Sequence, residues 1–216
     1  MKKILLALSF ALASSVASAT TVGALEVYNE AAVNVTPSDG GWGPIDGIAE
    51  GGYMAGLSGT MRALADGVFT ATYLGQVAGY GNFYLGNARM NGGNNGGAVG
   101  ITDSINVTAG QDIAFSFGED NQSDGIADGP LFANGDENQE FRGILFFLNT
   151  FGLTDANGQL FDFLIGYNDS ATVNSDYDDY VVGVVNQVPV PAALPLMASA
   201  LGLFGLSRRK NKAAAV

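Results

Sequence analysis

Between residues 20 and 187 the apolar residues come in short runs rich in Val, Phe and Tyr, and glycine or Asn/Asp interrupts them again and again. A chain broken this often cannot sustain long amphipathic helices. It can build many short strands joined by tight turns, because β-branched and aromatic side chains suit a pleated surface and Gly, Asn and Asp suit turns. Residues 21–35 read as one or two strands, and residues 37–59 as a loop region around Trp42. Residues 58–65 give the only helical signal, a short turn. Residues 67–78 (GVFTATYLGQVA) alternate as a strand, and residues 79–85 either continue it or turn back as a hairpin. Two further strands, 101–107 and 112–117, flank a turn at Ala109-Gly110. An acidic loop spans 119–140. Three last strands occupy 142–149, 160–167 and 180–185, with Ala156-Asn157-Gly158 turning between the first two, and a linker begins at Asn186-Gln187. Seven to ten such strands without an internal repeat predict an all-β domain, an antiparallel β-sandwich of jelly-roll-like type.

The segments outside this body have a different character. Lys2 and Lys3 precede an apolar run at residues 4–13, and Ala17-Ser18-Ala19 has the small-residue pattern of a cleavage site. Residues 1–19 are therefore expected to be a signal peptide, removed by signal peptidase. At the other end, residues 192–206 are apolar apart from Ser199. As a helix they would rise about 22 Å, short of a ~30 Å hydrocarbon core. Arg208, Arg209, Lys210 and Lys212 follow. By the positive-inside rule they hold this end in the cytoplasm, with the body on the far side, where a cleaved signal peptide would deliver it. The division expected is 1–19 signal peptide, 20–187 folded domain and 188–216 C-terminal segment.

That last segment carries a resemblance. Val188-Pro189-Val190-Pro191-Ala192, the apolar stretch ending at Leu206, and the cluster Arg208-Arg209-Lys210 together resemble the PEP-CTERM class of bacterial sorting signals, in the variant written VPLPA-CTERM. Val190 stands where Leu is usual. The likeness covers 29 of 216 residues. It implies recognition by an exosortase, an inner-membrane-tethered intermediate held by a C-terminal transmembrane helix, and a final place at the cell surface or in the extracellular matrix, with exopolysaccharide as a candidate partner. Pro189 and Pro191 would keep the entry extended and open to a processing enzyme.

Composition narrows the chemistry of the body. All 21 acidic residues lie in it, against Arg62, Arg89 and Arg142 and no lysine, a formal charge of −18 where the whole chain carries −12. Such a surface repels nucleic acid and anionic lipid and keeps the domain soluble. Without histidine or cysteine, His-dependent triads and His- or Cys-ligated metal sites are excluded. Carboxylate-only catalysis survives in principle, but nothing in the pattern sets two carboxylates across a cleft, and the domain is read as non-enzymatic. The glycine-rich NGGNNGG at residues 91–97 lacks the strand–helix setting of a phosphate loop. Trp42, Tyr53, Tyr73, Tyr80 and Tyr84 either stack on sugar rings or fill the core.

Calcium is the cofactor that the acidic clusters would take. In residues 119–129 (EDNQSDGIADG), Asp120, Gln122 and Asp124 stand at alternate oxygen-ligand positions, Gly125 follows and Asp128 lies beyond, but the position for a bidentate Glu falls on Leu131. In residues 165–184, Asp169 ends a strand, and Asp176, Asp178 and Asp179 surround Tyr177. Alternation would set Asp176 and Asp178 on one face, Tyr177 and Asp179 on the other. This second segment resembles an "ED…DxDFND" stretch of exported bacterial β-sandwich domains, with Asn168-Asp169 for Glu-Asp and Asp178-Asp179 for Asn-Asp. Its carboxylates either coordinate calcium or fix the loop by accepting backbone hydrogen bonds. The functions weighed are a structural or adhesive surface protein, a calcium- or carbohydrate-binding module, and a carboxylate hydrolase.

Overall fold

In a computed structural model of the chain, the described residues are 19–35, 54–76, 81–90, 98–119, 131–138, 142–150, 152–169, 177 and 179–189. They form twelve strands: β1 (Ala19–Val22), β2 (Leu25–Val35), β3 (Met54–Ala63), β4 (Gly67–Gly75), β5 (Gly81–Leu85), β6 (Ala88–Arg89), β7 (Thr102–Val107), β8 (Phe115–Glu119), β9 (Phe132–Ala133), β10 (Gly143–Leu148), β11 (Phe163–Asn168) and β12 (Tyr180–Gln187). All pairings are antiparallel. An eight-stranded sheet has the order β1-β2-β3-β10-β11-β12-β4-β7, and a four-stranded sheet the order β6-β5-β8-β9. The all-β expectation holds. Of the expected signal segment only Ala19, the first residue of β1, is described; its other residues and the expected C-terminal helix fall outside the described residues.

The two sheets meet across an aromatic core. Phe83, Phe115 and Phe117 of the small sheet pack against Phe146, Tyr167 and Tyr180 of the large one. The rings of Phe117 and Tyr167 stack with centroids 4.9 Å apart at 8°, and Phe117 meets Tyr180 edge-on at 5.9 Å. Such pairs add about 0.5–1.5 kcal/mol each beyond the area they bury. A second cluster lies on the opposite face of the large sheet, where Leu74, Leu145, Phe147, Leu164 and Val181 pack with Phe161 and Tyr177. This explains why β10 (GILFFL), β11 (FLIGYN) and most of β12 (YVVGVVNQ) are continuous apolar runs: they are covered on both faces. The edge strand β7 has one face in solvent and alternates in burial. Gly166 is required where the backbone of Tyr177 lies against β11. A Cβ there would stand 2.3 Å from the Tyr177 carbonyl oxygen.

Four sequence expectations change. The segment at 58–65 is not helical: β3 runs through it and pairs with β2 from Leu25↔Ala63 to Val35↔Met54. Buried Met61 and Ala63 on either side of half-buried Arg62 show a period of two, and strand pairing overrides a weak helical preference. Residues 81–85 neither continue β4 nor fold back on it. They form β5, which pairs with β8 in the other sheet. The loop expected at 37–59 ends sooner, because β3 already begins at Met54; the turn at Gly110 holds, with φ 80°, and its flanking strands β7 and β8 pair with β4 and β5 respectively. Asn186 and Gln187 belong to β12 rather than a linker, opposite Phe69 and Val68.

Candidate functional site

The second acidic cluster sits where β11 ends and β12 begins. The carboxylate of Asp179 turns back across this connection, and its Oδ2 accepts the backbone N–H of Asp169 at 2.7 Å. Of the two roles weighed for these carboxylates, Asp179 therefore performs loop fixing. Its burial, 8 % exposed, makes that bond worth more than at a surface turn. Tyr177 departs from the expected alternation. With φ 55° it leaves the extended conformation, and its ring enters the outer cluster beneath Leu164 and Val181, where burial pushes its hydroxyl pKa up. Asp176 and Asp178 lie outside the described residues, as do Asp120, Asp124 and Asp128. Among the described residues no three acidic side chains converge on a point that could hold a metal ion.

Near this connection, Arg142 ties the ends of three strands. Its Nε donates to the Tyr167 hydroxyl at 2.9 Å, and its guanidinium lies 3.9 Å from the Glu119 carboxylate. Burial pushes the Tyr167 hydroxyl up to about 12, and the arginine works against that shift. Glu119 opens the first acidic cluster and Tyr167 stands two residues before Asp169. The fold thus brings the edges of two clusters, distant in sequence, to one end of the sandwich.

The aromatic residues divide as well. Tyr73 is fully buried and Tyr84 nearly so, so both fill the core and neither offers a sugar-stacking face. Trp42, Tyr53 and Tyr80 are outside the described residues. So are Val190, Pro191, Ala192, Arg208, Arg209 and Lys210 of the sorting segment. Val188 and Pro189 follow directly on β12, and Val188 is exposed.

A concavity that the sequence reading missed lies elsewhere. Between Tyr28 and Ala31 the register of β2 against β3 slips, leaving Asn29 and Glu30 to face Gly59 in a β-bulge. Asn29 adopts φ 53° and Gly59 φ 150°. A Cβ on Gly59 would stand 2.7 Å from the Tyr28 carbonyl oxygen. The bulged strands and the segment after β9 enclose a cleft of about 490 Å³, lined by Asn29, Ser58, Thr60, Asp136, Glu137 and Asn138 among others. Its far wall is tied down. Asn134 accepts from Met61 N–H and donates to the carbonyls of Met61 and Ile113, at 2.8–2.9 Å. Asp136 accepts from Ala133 N–H at 2.7 Å. Asn138 exchanges two hydrogen bonds of 2.9 Å with the backbone of Ile144. The only available hint was the clustering of Gly59, Gly135 and small polar residues in segments far apart in the chain.

No protein-family model, no curated protein and no solved structure matches this chain.

Proposed function

We propose that this is an exported, non-enzymatic β-sandwich protein, processed at its C-terminal segment by an exosortase and held at the cell surface or in the extracellular matrix in a structural or adhesive role. The likeness of residues 188–216 to a sorting signal carries the reading. Its placement supports it: the motif starts at an exposed Val188, immediately after β12, which β11 and β4 flank on both sides. A processing enzyme would meet an accessible, proline-stiffened segment leaving a firmly held strand. The jelly-roll-like winding belongs to the same reading, supported by the sequence-distant pairings β3–β10 and β12–β4.

The test is replacement of Pro189 and Pro191 by Ala, following the C-terminal fragment by mass spectrometry in a host that makes an exosortase. Loss of the processed form is expected. Unchanged processing would sink the sorting reading.

A calcium- or carbohydrate-binding module is the second reading. For calcium, Asp169 and Asp179 are the described carboxylates of the second cluster, and the bond that the Asp179 carboxylate accepts from the Asp169 backbone N–H favours a loop-fixing role. For carbohydrate, the cleft beside the β2 bulge is the favouring observation.

A further inference from the structure

We infer that the cleft between the β2 bulge and the segment after β9 is a binding site for a neutral, hydroxyl-rich ligand, one or two sugar units of an oligosaccharide. The inference deepens the carbohydrate reading by giving it a site, and it does not depend on the sorting reading.

Size comes first. A cleft of about 490 Å³ falls within the ~300–1,000 Å³ of ordinary small-ligand sites. Construction comes second. Asn29 holds a left-handed φ of 53° on one wall, and Gly135 holds φ 92° on the other. Non-glycine residues keep such a conformation only where the surroundings enforce it, and bulges are used to re-aim side chains. The wall bearing Asp136 and Glu137 is braced by the bonds of Asn134, Asp136 and Asn138 described above, so the lining is preorganised.

The chemistry of the lining selects the ligand. Asn29, Ser58, Thr60, Asp136 and Glu137 line the space. The Ser58 hydroxyl donates to the Ala31 carbonyl at 3.3 Å and the Thr60 hydroxyl bonds to Tyr28, so these two keep acceptor lone pairs for a ligand. None of its described lining residues carries an apolar or cationic side chain, which argues against a lipid-like ligand and against a phosphate or other anion. Oxygen-only metal coordination needs more carboxylates than converge here. A sugar matches what remains: each of its hydroxyls both donates and accepts, so the carboxylates and the hydroxyl and amide oxygens take its protons while the Asn29 amide N–H gives its own. Asn29 and Glu137 are exposed, and neither side chain is used by the hydrogen bonds that brace the walls.

The experiment uses the full chain, with wild type, Asn29→Gly and Glu137→Gln compared. Glycine keeps the positive φ that residue 29 needs, and Gln keeps the shape of Glu137, so thermal melts should be nearly unchanged. A panel of neutral oligosaccharides is screened, then hits are titrated by calorimetry, with acidic oligosaccharides and an arginine-rich peptide as controls. Expected is saturable binding of a neutral oligosaccharide, insensitive to salt, weakened about tenfold by either substitution, the loss of one ligand hydrogen bond. Three results would overturn the inference: no oligosaccharide binds, binding is untouched by both substitutions, or only the cationic peptide binds and salt abolishes it.

Discussion

The two ends of β12 handle buried polar groups in opposite ways. At the Asn186 end, side-chain amides close the turns. Asn186 Nδ2 donates to the carbonyls of Ala24 and Ala65 at 3.3 and 3.2 Å. Leu64 N–H reaches Ala24, and Ala63 exchanges bonds with Gln111 and Gly110. Asn134 stitches the small sheet to β3 close by. Only Asn186 Oδ1 is left over. At the Tyr180 end, the hydroxyls of Tyr73 and Tyr180 and both amide atoms of Gln76 are buried without a hydrogen-bond partner among the described residues. The two rings lie 4.9 Å apart. Carrying the register one residue past the Gly75–Val181 pair brings Gln76 level with Tyr180. Burial alone pushes the Tyr73 hydroxyl up to about 12, and burial is the leading cause that raises Tyr180. An unsatisfied buried group costs about 1–3 kcal/mol. The lesson is that one end is locked by polar ties, while the other is held by aromatic packing in spite of its polar atoms.

The comparison predicts opposite signs for removing a polar side-chain group at the two ends. Asn134→Ala removes three bonds and strands the Met61 amide, so chemical denaturation should show a loss of about 3 kcal/mol. A loss under about 1 kcal/mol would mean that the stitch is idle. Gly166→Ala, near the Tyr180 end, should cost about 2–3 kcal/mol because its Cβ must displace the Tyr177 backbone. Full tolerance would show that packing there is loose. Asn186→Ala should cost about 2 kcal/mol, since the Ala65 carbonyl loses the Asn186 amide. Tyr180→Phe should instead stabilise by about 1 kcal/mol, because it removes a hydroxyl that gains nothing from burial. Destabilisation of that size would erase the contrast.

The smallest effect is a pH dependence near the locked end. Asp155 accepts backbone bonds from Gln159 and Asn157 at 2.8 Å, and the Gln159 bond leads in holding its carboxyl below the usual range. Its contribution is present above pH 3.8 and is lost as pH falls through the depressed value. Asp162 is the reverse: burial raises its carboxyl, against the bond from Asn186 N–H. Its ionisation therefore costs stability as pH rises through 3.8 to the raised folded value, and the cost disappears on acidification. Melts of Asp155→Asn and Asp162→Asn across pH 3 to 7 should diverge from wild type in opposite directions. Parallel curves would refute the assignment.

The acidic segments show how far residue patterns reach. That the carboxylate of Asp179 fixes its loop was one of two roles its setting allowed. Nothing in the pattern pairs Asp179 with the amide of Asp169, or sends Tyr177 to the outer face, because one left-handed residue cancels the alternation on which the expectation rested. The β2–β3 cleft was invisible, since a bulge and a turn far away in sequence make it jointly. The expected helix at 58–65 failed because pairing with β2 outweighs local preference.

Short Val-, Phe- and Tyr-rich runs between glycines determined by themselves that the chain is all-β, and where most strands begin and end, because burial alternation and turn chemistry are local. Composition likewise determined an acidic surface without histidine or cysteine chemistry. Which strand joins which sheet was decided only in three dimensions. β5 and β8 part from β4 and β7 and pair with each other, and β10 to β12 are apolar on both faces because a second layer covers them. Pairing partners and layer contacts depend on backbone bonds and packing between segments scores of residues apart, on which a local pattern carries no information.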